Sequence, residues 1–326
     1  TPDSNSAISF FTAANFLSYG NNLSVVRAVG SNTFNADANT AQTNIQIANS
    51  EVFESTLLNT NNNNLYGAFM ARYAGALGNS LTVSVCANTS AFSTWTYKSY
   101  FSSAPTTSGY ASSVNGLNDE MHIVVVDTNG SFSGSSGTVL ETFPFVSKAS
   151  NAINLNDGSS NYYKQVIFNN SKYIYAVDPV DYSNTSSTWG TPASGTTFYS
   201  PVSSTVTLAG GTDSAVSDAN KISAYSLFAN KETVDISLVL TGDASVPVQQ
   251  DVIDNIVNSR GDCVAFISPP QSAVVNQSGS ESSNIQSWLT SLARSSSFAV
   301  ADSGWKYQFD VYNNVYRWIP LNADVA

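Results

Sequence analysis

The clearest periodicity in the chain lies between Glu232 and Pro320. Val234, Ile236, Leu238 and Leu240 alternate with smaller or polar residues, the period of two that predicts a strand. Val248, Val252, Ile253, Ile256 and Val257 then recur at i, i+4, i+5, i+8 and i+9, which puts them on one face of a helix. The apolar run Cys263–Ile267 stops at Pro269-Pro270 and has the length of a strand buried on both faces of a parallel sheet. Ile285, Trp288, Leu289 and Leu292 mark a second amphipathic helix, and Phe298-Ala299-Val300 a third strand. Strands alternating with helices predict right-handed crossovers and a largely parallel sheet. Beyond them, Tyr307, Phe309 and Val311 alternate up to Asn313-Asn314, and Val315 to Ile319 follow, a hairpin signal.

The other end of the chain repeats this style. Asn5 or Ser6 is placed to cap a helix running to about Ser18, with Phe10, Phe11, Ala14 and Leu17 as its apolar face. Gly20 and Asn21-Asn22 end it, and the β-branched run Leu23–Val29 predicts a strand that joins the C-terminal sheet. Residues 31–65 are weakly patterned, with one short helix expected around Ile45–Leu58 and an exposed loop at Asn61–Asn64. The character then changes. Strand-like runs occur at Leu81–Cys86, His122–Asp127, Val139–Val146, Gln165–Phe168, Tyr173–Val177 and Val202–Leu208, with one helix expected between Phe145 and Leu155. Ser217 and Asp218 are plausible caps for a helix carrying Ile222, Tyr225 and Phe228 on one face. The expected organisation is a discontinuous α/β domain, residues 1–30 and 209–326, interrupted by a short region at 31–65 and a β-rich domain at 66–208.

Composition narrows the function classes. Hydrophobic residues are 42% of the 326, enough for a large core, while charged residues are only 11%, well below the usual quarter. Ser, Asn and Thr take over the surface, which suits flat, low-charge contacts between copies. A net charge of −11 and the absence of any Lys/Arg cluster argue against nucleic-acid binding. No apolar run reaches membrane-spanning length, so membrane insertion is not expected. A start at Thr1-Pro2-Asp3 without an initiator Met reads as a processed or excised piece. Cys86 and Cys263 both lie in apolar runs and read as two buried thiols in preference to a single disulfide, which leaves the redox compartment open with a mild lean to cytoplasm.

The search for chemistry finds little. His122 is the only histidine, close to Asp119 and Glu120, and no nucleophile motif accompanies it; a strand-end histidine without a catalytic role is the preferred reading. One His and two distant Cys do not make a zinc site, and Asp127, Asp178 and Asp181 read as solvated loop acids rather than metal ligands. Gly210-Gly211 lacks the lysine of a phosphate loop and the spacing of a dinucleotide loop. The pairs Asp251/Asp254 and Asp235/Asp243 read as surface. Trp95-Thr96-Tyr97 and Tyr162-Tyr163 could stack on sugars, but core or subunit contact is the commoner use of such residues. No catalytic, metal or cofactor residue is therefore assigned, and no enzyme activity is expected.

Four segments carry a family resemblance: Asn15 to Val29; Phe228 to Gly242; Arg260 through Pro270; and Lys306 to Leu321 (KYQFDVYNNVYRWIPL), the most specific of them. In this order, from one end of the chain to the other, they resemble the tail sheath protein of large contractile-tailed bacteriophages, with only a loose match between about 90 and 200. The resemblance implies a virion structural subunit, assembled in the host cytoplasm, that stacks as hexameric rings around the tail tube. Contraction of the rings would drive the tube through the host envelope during genome ejection and entry. It implies a subtilisin-like α/β fold without protease chemistry, no cofactor, and other sheath subunits, tail tube, baseplate and tail terminator as partners. The region between Val29 and Tyr66 is shorter than the outer insertion of well-known relatives, and those relatives extend before Thr1 and beyond Ala326. A truncated piece that folds as a monomer is the corresponding expectation. A carbohydrate-binding adhesin or tail-fibre module is the alternative, and a degenerate serine hydrolase the third reading.

Overall fold

The structure, a computed structural model, describes residues 6–39, 44–58, 60, 62, 64–180 and 187–326. Asn5, Asn61, Asn63 and Asp181, each singled out above, lie outside the described residues. The chain is mixed α/β with several sheets, and its contacts divide into two compact units, Thr1–Ser31 with Ala215–Ala326, and Asn32–Ser214.

In the first unit, strands Leu238–Leu240, Val264–Ile267 and Ala299–Ala301 form a parallel sheet in that order. Val239 lies opposite Ala265, and Ala265 opposite Ala299. The alternating stretch from Val234 is a strand only in its last three residues; Ile236 still packs against the core of Val239, Val252, Ile256 and Ala265. The crossover helix runs from Val246 to Arg260, opens with Pro247 in its first turn and ends at Gly261 with φ +71°.

Its middle, Val252–Val257, is wound as a π-helix. The spacing of its buried residues accounts for this. Val248, Val252, Ile256 and Arg260 are buried, as are Gln249, Ile253 and Val257, two rows with a strict interval of four. At about 100° per residue, four residues of α-helix overshoot a full turn by roughly 40°, so the rows would drift by about 120° between Val248 and Arg260. A wider turn keeps both rows on the sheet. Gln249 fixes the arrangement: its Nε2 donates to Ala244 O (2.9 Å) and Ser268 O (2.8 Å), and its Oε1 accepts from Trp288 Nε1 (3.0 Å) on the helix Glu281–Leu292.

Strands Trp305–Asp310 and Val315–Pro320 pair antiparallel, forming the expected hairpin, and the helix Ala7–Leu17 packs on it through Ala7, Phe11 and Ile319. That helix has the predicted bounds, but its apolar face is narrower than expected: Phe10 and Leu17 are exposed. The expected strand Leu23–Val29 is absent, and the parallel sheet has no fourth strand among the described residues. β propensity measures fit to a half-buried pleated surface, and here Val25 is 77% exposed.

The second unit is built on an antiparallel sheet in the order Thr138–Ser147, Glu120–Asp127, Leu81–Cys86, Ser204–Thr207. Alternation places Val83, Val85, Ile123 and Val125 in one core and Cys86, Val124 and Val126 in another, so the two central strands are buried on both faces. The first core is closed by the helix Tyr163–Asn170 and the two-stranded ladder Phe69–Ala71/Ile174–Ala176. Gln165–Phe168 is thus helical rather than the expected strand; Tyr163, Lys164 and Ile167 are buried at i, i+1 and i+4, a helical interval in too short a run to stand out. The helix expected between Phe145 and Leu155 is also absent. Phe145–Ser147 finishes a strand, and Phe145 itself sits at φ +52°. The short helix expected near 45–58 is found at Ser50–Phe53, continued by a π-turn to Leu58 and capped by Asn49.

Candidate interaction surface

Most of the groups singled out in the sequence are held by hydrogen bonds or ion pairs within the fold. His122 is fully buried. Its Nε2–H donates to Ser103 O (2.9 Å), and its Nδ1 accepts from the Phe145 N–H (3.1 Å). Phe101 stacks on the ring at 4.2 Å and Phe145 meets its edge at 4.5 Å. Burial in this aromatic box pushes the imidazole below its ordinary value, against the opposing effect of the Ser103 hydrogen bond, and keeps it neutral near pH 7. The sheet register puts Cys86 directly opposite His122, a juxtaposition the sequence reading missed because it depends on strand pairing. The thiol donates to Asn88 O, its pKa is raised by burial, and both ring nitrogens are taken by backbone, so the pair has the wrong hydrogen bonding for a nucleophile and base. What His122 does is satisfy the N–H of a left-handed, non-glycine residue where the register of two strands shifts.

The acidic candidates behave likewise. Asp127 is not a solvated loop acid but a fully buried one. It accepts from the N–H groups of Ser131, Phe132 and Ser133 and from the hydroxyls of Ser80 and Ser133. Burial alone would raise its pKa, but these donors win and hold it down to about 2. Asp178 is also buried, accepting from the Asn62 and Asn64 N–H groups, and burial raises its pKa. Asp254 is paired with Arg294 at 2.7 Å, Asp251 accepts from Asn255, and Asp235 and Asp243 are exposed. Among the described residues no group of three His, Cys, Asp or Glu could hold a metal ion. Gly211 exchanges hydrogen bonds with the Asn79 side chain, and a Cβ there would meet Gly75 O at 2.4 Å, so the glycine pair marks a close backbone approach. Tyr163 and Trp95 are core residues.

At the C-terminal ends of the parallel strands, where open α/β sheets commonly bind ligands, the polar residues bond to one another. Ser268 Oγ donates to Asp302 Oδ2 (2.5 Å) and accepts from the buried Asn322 N–H (3.1 Å). Among the described residues no helix is long and apolar enough to cross a membrane.

The conspicuous surface is instead one face of the C-terminal hairpin. Alternation puts Trp305, Tyr307 and Phe309 on the same side as Tyr316, Trp318 and Pro320, with Tyr307 opposite Trp318 and Phe309 opposite Tyr316. Tyr307 is 57% exposed, Phe309 41% and Tyr316 58%; the tip residues Val311 and Tyr312 are exposed as well. The rings lie on each other: Tyr307–Tyr316 at 4.9 Å and 20°, Tyr307–Trp318 at 4.9 Å, Phe309–Tyr316 at 5.0 Å. Each of these rings packs against a neighbour and leaves the rest of its surface to solvent. The turn is tied by Asp310, whose carboxylate accepts from Tyr312 N, Asn313 N, Asn313 Nδ2 and Arg317 Nε. Burial works against ionisation, but Arg317 and the Asn313 amide dominate and bring its pKa down to about 2.

No family model matches the chain. Along its whole length it is 25% identical to the tail sheath protein of Salmonella phage ViI, covering 60% of that protein. It is 36% identical over 137 residues to the tail sheath protein of Vibrio phage KVP40, a match taking in 36% of this chain and 20% of that protein. It is 34% identical over 139 residues to that of Enterobacteria phage T4, taking in 37% and 21%. The chain thus spans 60% or less of these curated relatives. Among solved structures, a sheath tail protein from Listeria innocua aligns over 96% of this chain and 72% of its own at 10% identity, with a TM-score of 0.32, too low for any fold argument. By sequence, the chain is a homologue of the tail sheath proteins of contractile-tailed bacteriophages.

Proposed function

We propose that the chain is a structural subunit of a contractile tail sheath. In this reading its copies stack as six-membered rings around the tail tube, and the rings shorten and widen together to drive the tube through the host envelope. The observation that carries it is the end-to-end match to a sheath protein, which includes the hairpin as well as the crossover helix. The unit of Thr1–Ser31 with Ala215–Ala326 serves as the frame, a discontinuous subtilisin-like domain in the terms of the resemblance, and Asn32–Ser214 is the insertion it carries. Partners in this reading are other sheath subunits, the tail tube, the baseplate and the tail terminator.

The test is electron microscopy of tails labelled with an antibody raised against Asn32–Ser214. Regularly repeating label along a striated tube that shortens on triggering is the expected result. Label confined to fibres or the baseplate overturns the reading. Chemistry is tested separately. A fluorophosphonate serine probe should leave no adduct on the chain, and an adduct abolished in His122→Ala would show a hydrolase instead.

A further inference from the structure

We infer that the aromatic face of the Trp305–Pro320 hairpin is a docking surface for a second copy of this chain. The inference rests on the sheath reading and supplies a contact for it. Three observations carry it together.

The first is position. The helix Ala7–Leu17 occupies one side of the ribbon through Phe11 and Ile319, and Phe10 meets Tyr312 edge-on at 5.6 Å near the tip. This support keeps a two-stranded ribbon, unstable by itself, in one shape while Tyr307, Phe309 and Tyr316 face solvent.

The second is charge. The ribbon's charged side chains are Lys306, Asp310 and Arg317. Arg317 is neutralised by Asp310 at 2.7 Å, and Lys306 by Asp324. The ribbon therefore presents an electrically silent patch on a chain of net charge −11. A basic partner gains nothing from such a patch. A second acidic copy, repelled elsewhere, can approach there without bringing like charges together.

The third is area. Rings of this kind bury 150–250 Å² each when covered, so three of them at roughly half exposure, with Trp318, offer about 400 Å². That is about half of the ~800 Å² per partner that a stable pair needs. The patch is too small to hold a lasting dimer and is suited to a partner met many times over in an array.

The experiment places the photo-crosslinker p-benzoylphenylalanine at position 316, an exposed site, in tails that contain this protein. After irradiation, a species of twice the subunit mass, whose crosslinked peptides come from two copies, is the expected result. If tubes form and position 316 links to another tail protein, to its own chain or to nothing, the inference is overturned while the sheath reading stands. If no tube contains the protein, the sheath reading fails. Sedimentation of the 326-residue chain at rising concentration then decides the surface alone. An association weakened about tenfold by Tyr316→Lys supports it, and one indifferent to that change overturns it.

Discussion

A neutral imidazole donates one hydrogen bond and accepts another, and His122 uses both on backbone, at Ser103 and at the left-handed Phe145. Removing the ring leaves a cavity among Phe92, Phe101 and Phe145 and an unpaired buried N–H. His122→Ala should therefore cost about 2–4 kcal/mol in urea unfolding. Burial lowers the folded pKa of this group, so the unfolded chain takes up the proton first as the solution is acidified. The stability it contributes is complete above its ordinary value of 6.5 and is lost as pH falls below it. Unfolding free energies measured from pH 7.5 to 5.5 should fall with acid, and fall less in His122→Ala. Asp310 has the opposite chemistry and the same direction. Its depressed pKa makes a contribution present above the ordinary 3.8 and lost as pH drops toward about 2. Asp310→Asn should lower Tm at pH 7 and flatten the Tm-versus-pH curve between pH 4 and 2. The sequence offers His122 no partner nucleophile motif, and on that ground it reads as a strand-end residue. Its task was not legible, because nothing in Phe145 announces a positive φ.

At the scale of elements, the crossover helix depends on Gln249 as much as on its apolar rows. One buried amide joins the carbonyls of Ala244 and Ser268, each just beyond a strand of the parallel sheet, to the indole of Trp288. Gln249→Ala should strand three buried polar groups and cost about 2–4 kcal/mol, read by urea unfolding followed through tryptophan fluorescence. The sequence shows such elements where hydrophobic period and burial agree. Leu81–Cys86, Val264–Ile267, Glu281–Leu292 and the closing hairpin are all legible for that reason. It misleads where propensity has no surface to act on, as at Leu23–Val29. It also misleads where a helix is too short to display its period, as at Tyr163–Asn170. The polar cluster behind Ser268 could not be read, since Asp302 and Asn322 reach it from 34 and 54 residues away.

Across the whole molecule, a charged fraction of 11% with a net charge of −11 leaves few attractive ion pairs available for contacts and a general repulsion between copies. Salt shortens the range of that repulsion from about 30 Å at 0.01 M to about 8 Å at 0.15 M. Self-association through an uncharged aromatic patch should thus strengthen as salt rises, the reverse of an interface held by ion pairs. Light scattering of the chain at fixed concentration and increasing NaCl would show which. The candidate surface itself was half legible: the sequence showed an aromatic hairpin, while the covering of one side by Ala7–Leu17 and the pairing of Lys306 with Asp324 are tertiary facts.

The π-wound stretch of the crossover helix has a consequence for how this chain can vary in length. Between Val248 and Arg260 the buried positions fall at intervals of four, four and four. Deleting the exposed Asn255 would change them to four, three and four, the rhythm of an ordinary α-helix. The helix would lose its wide turn and keep the same residues against the sheet. Within this helix, a one-residue deletion at that site should be better tolerated than many substitutions on its buried side. Relatives that gain or lose a residue here would differ in winding and not in packing.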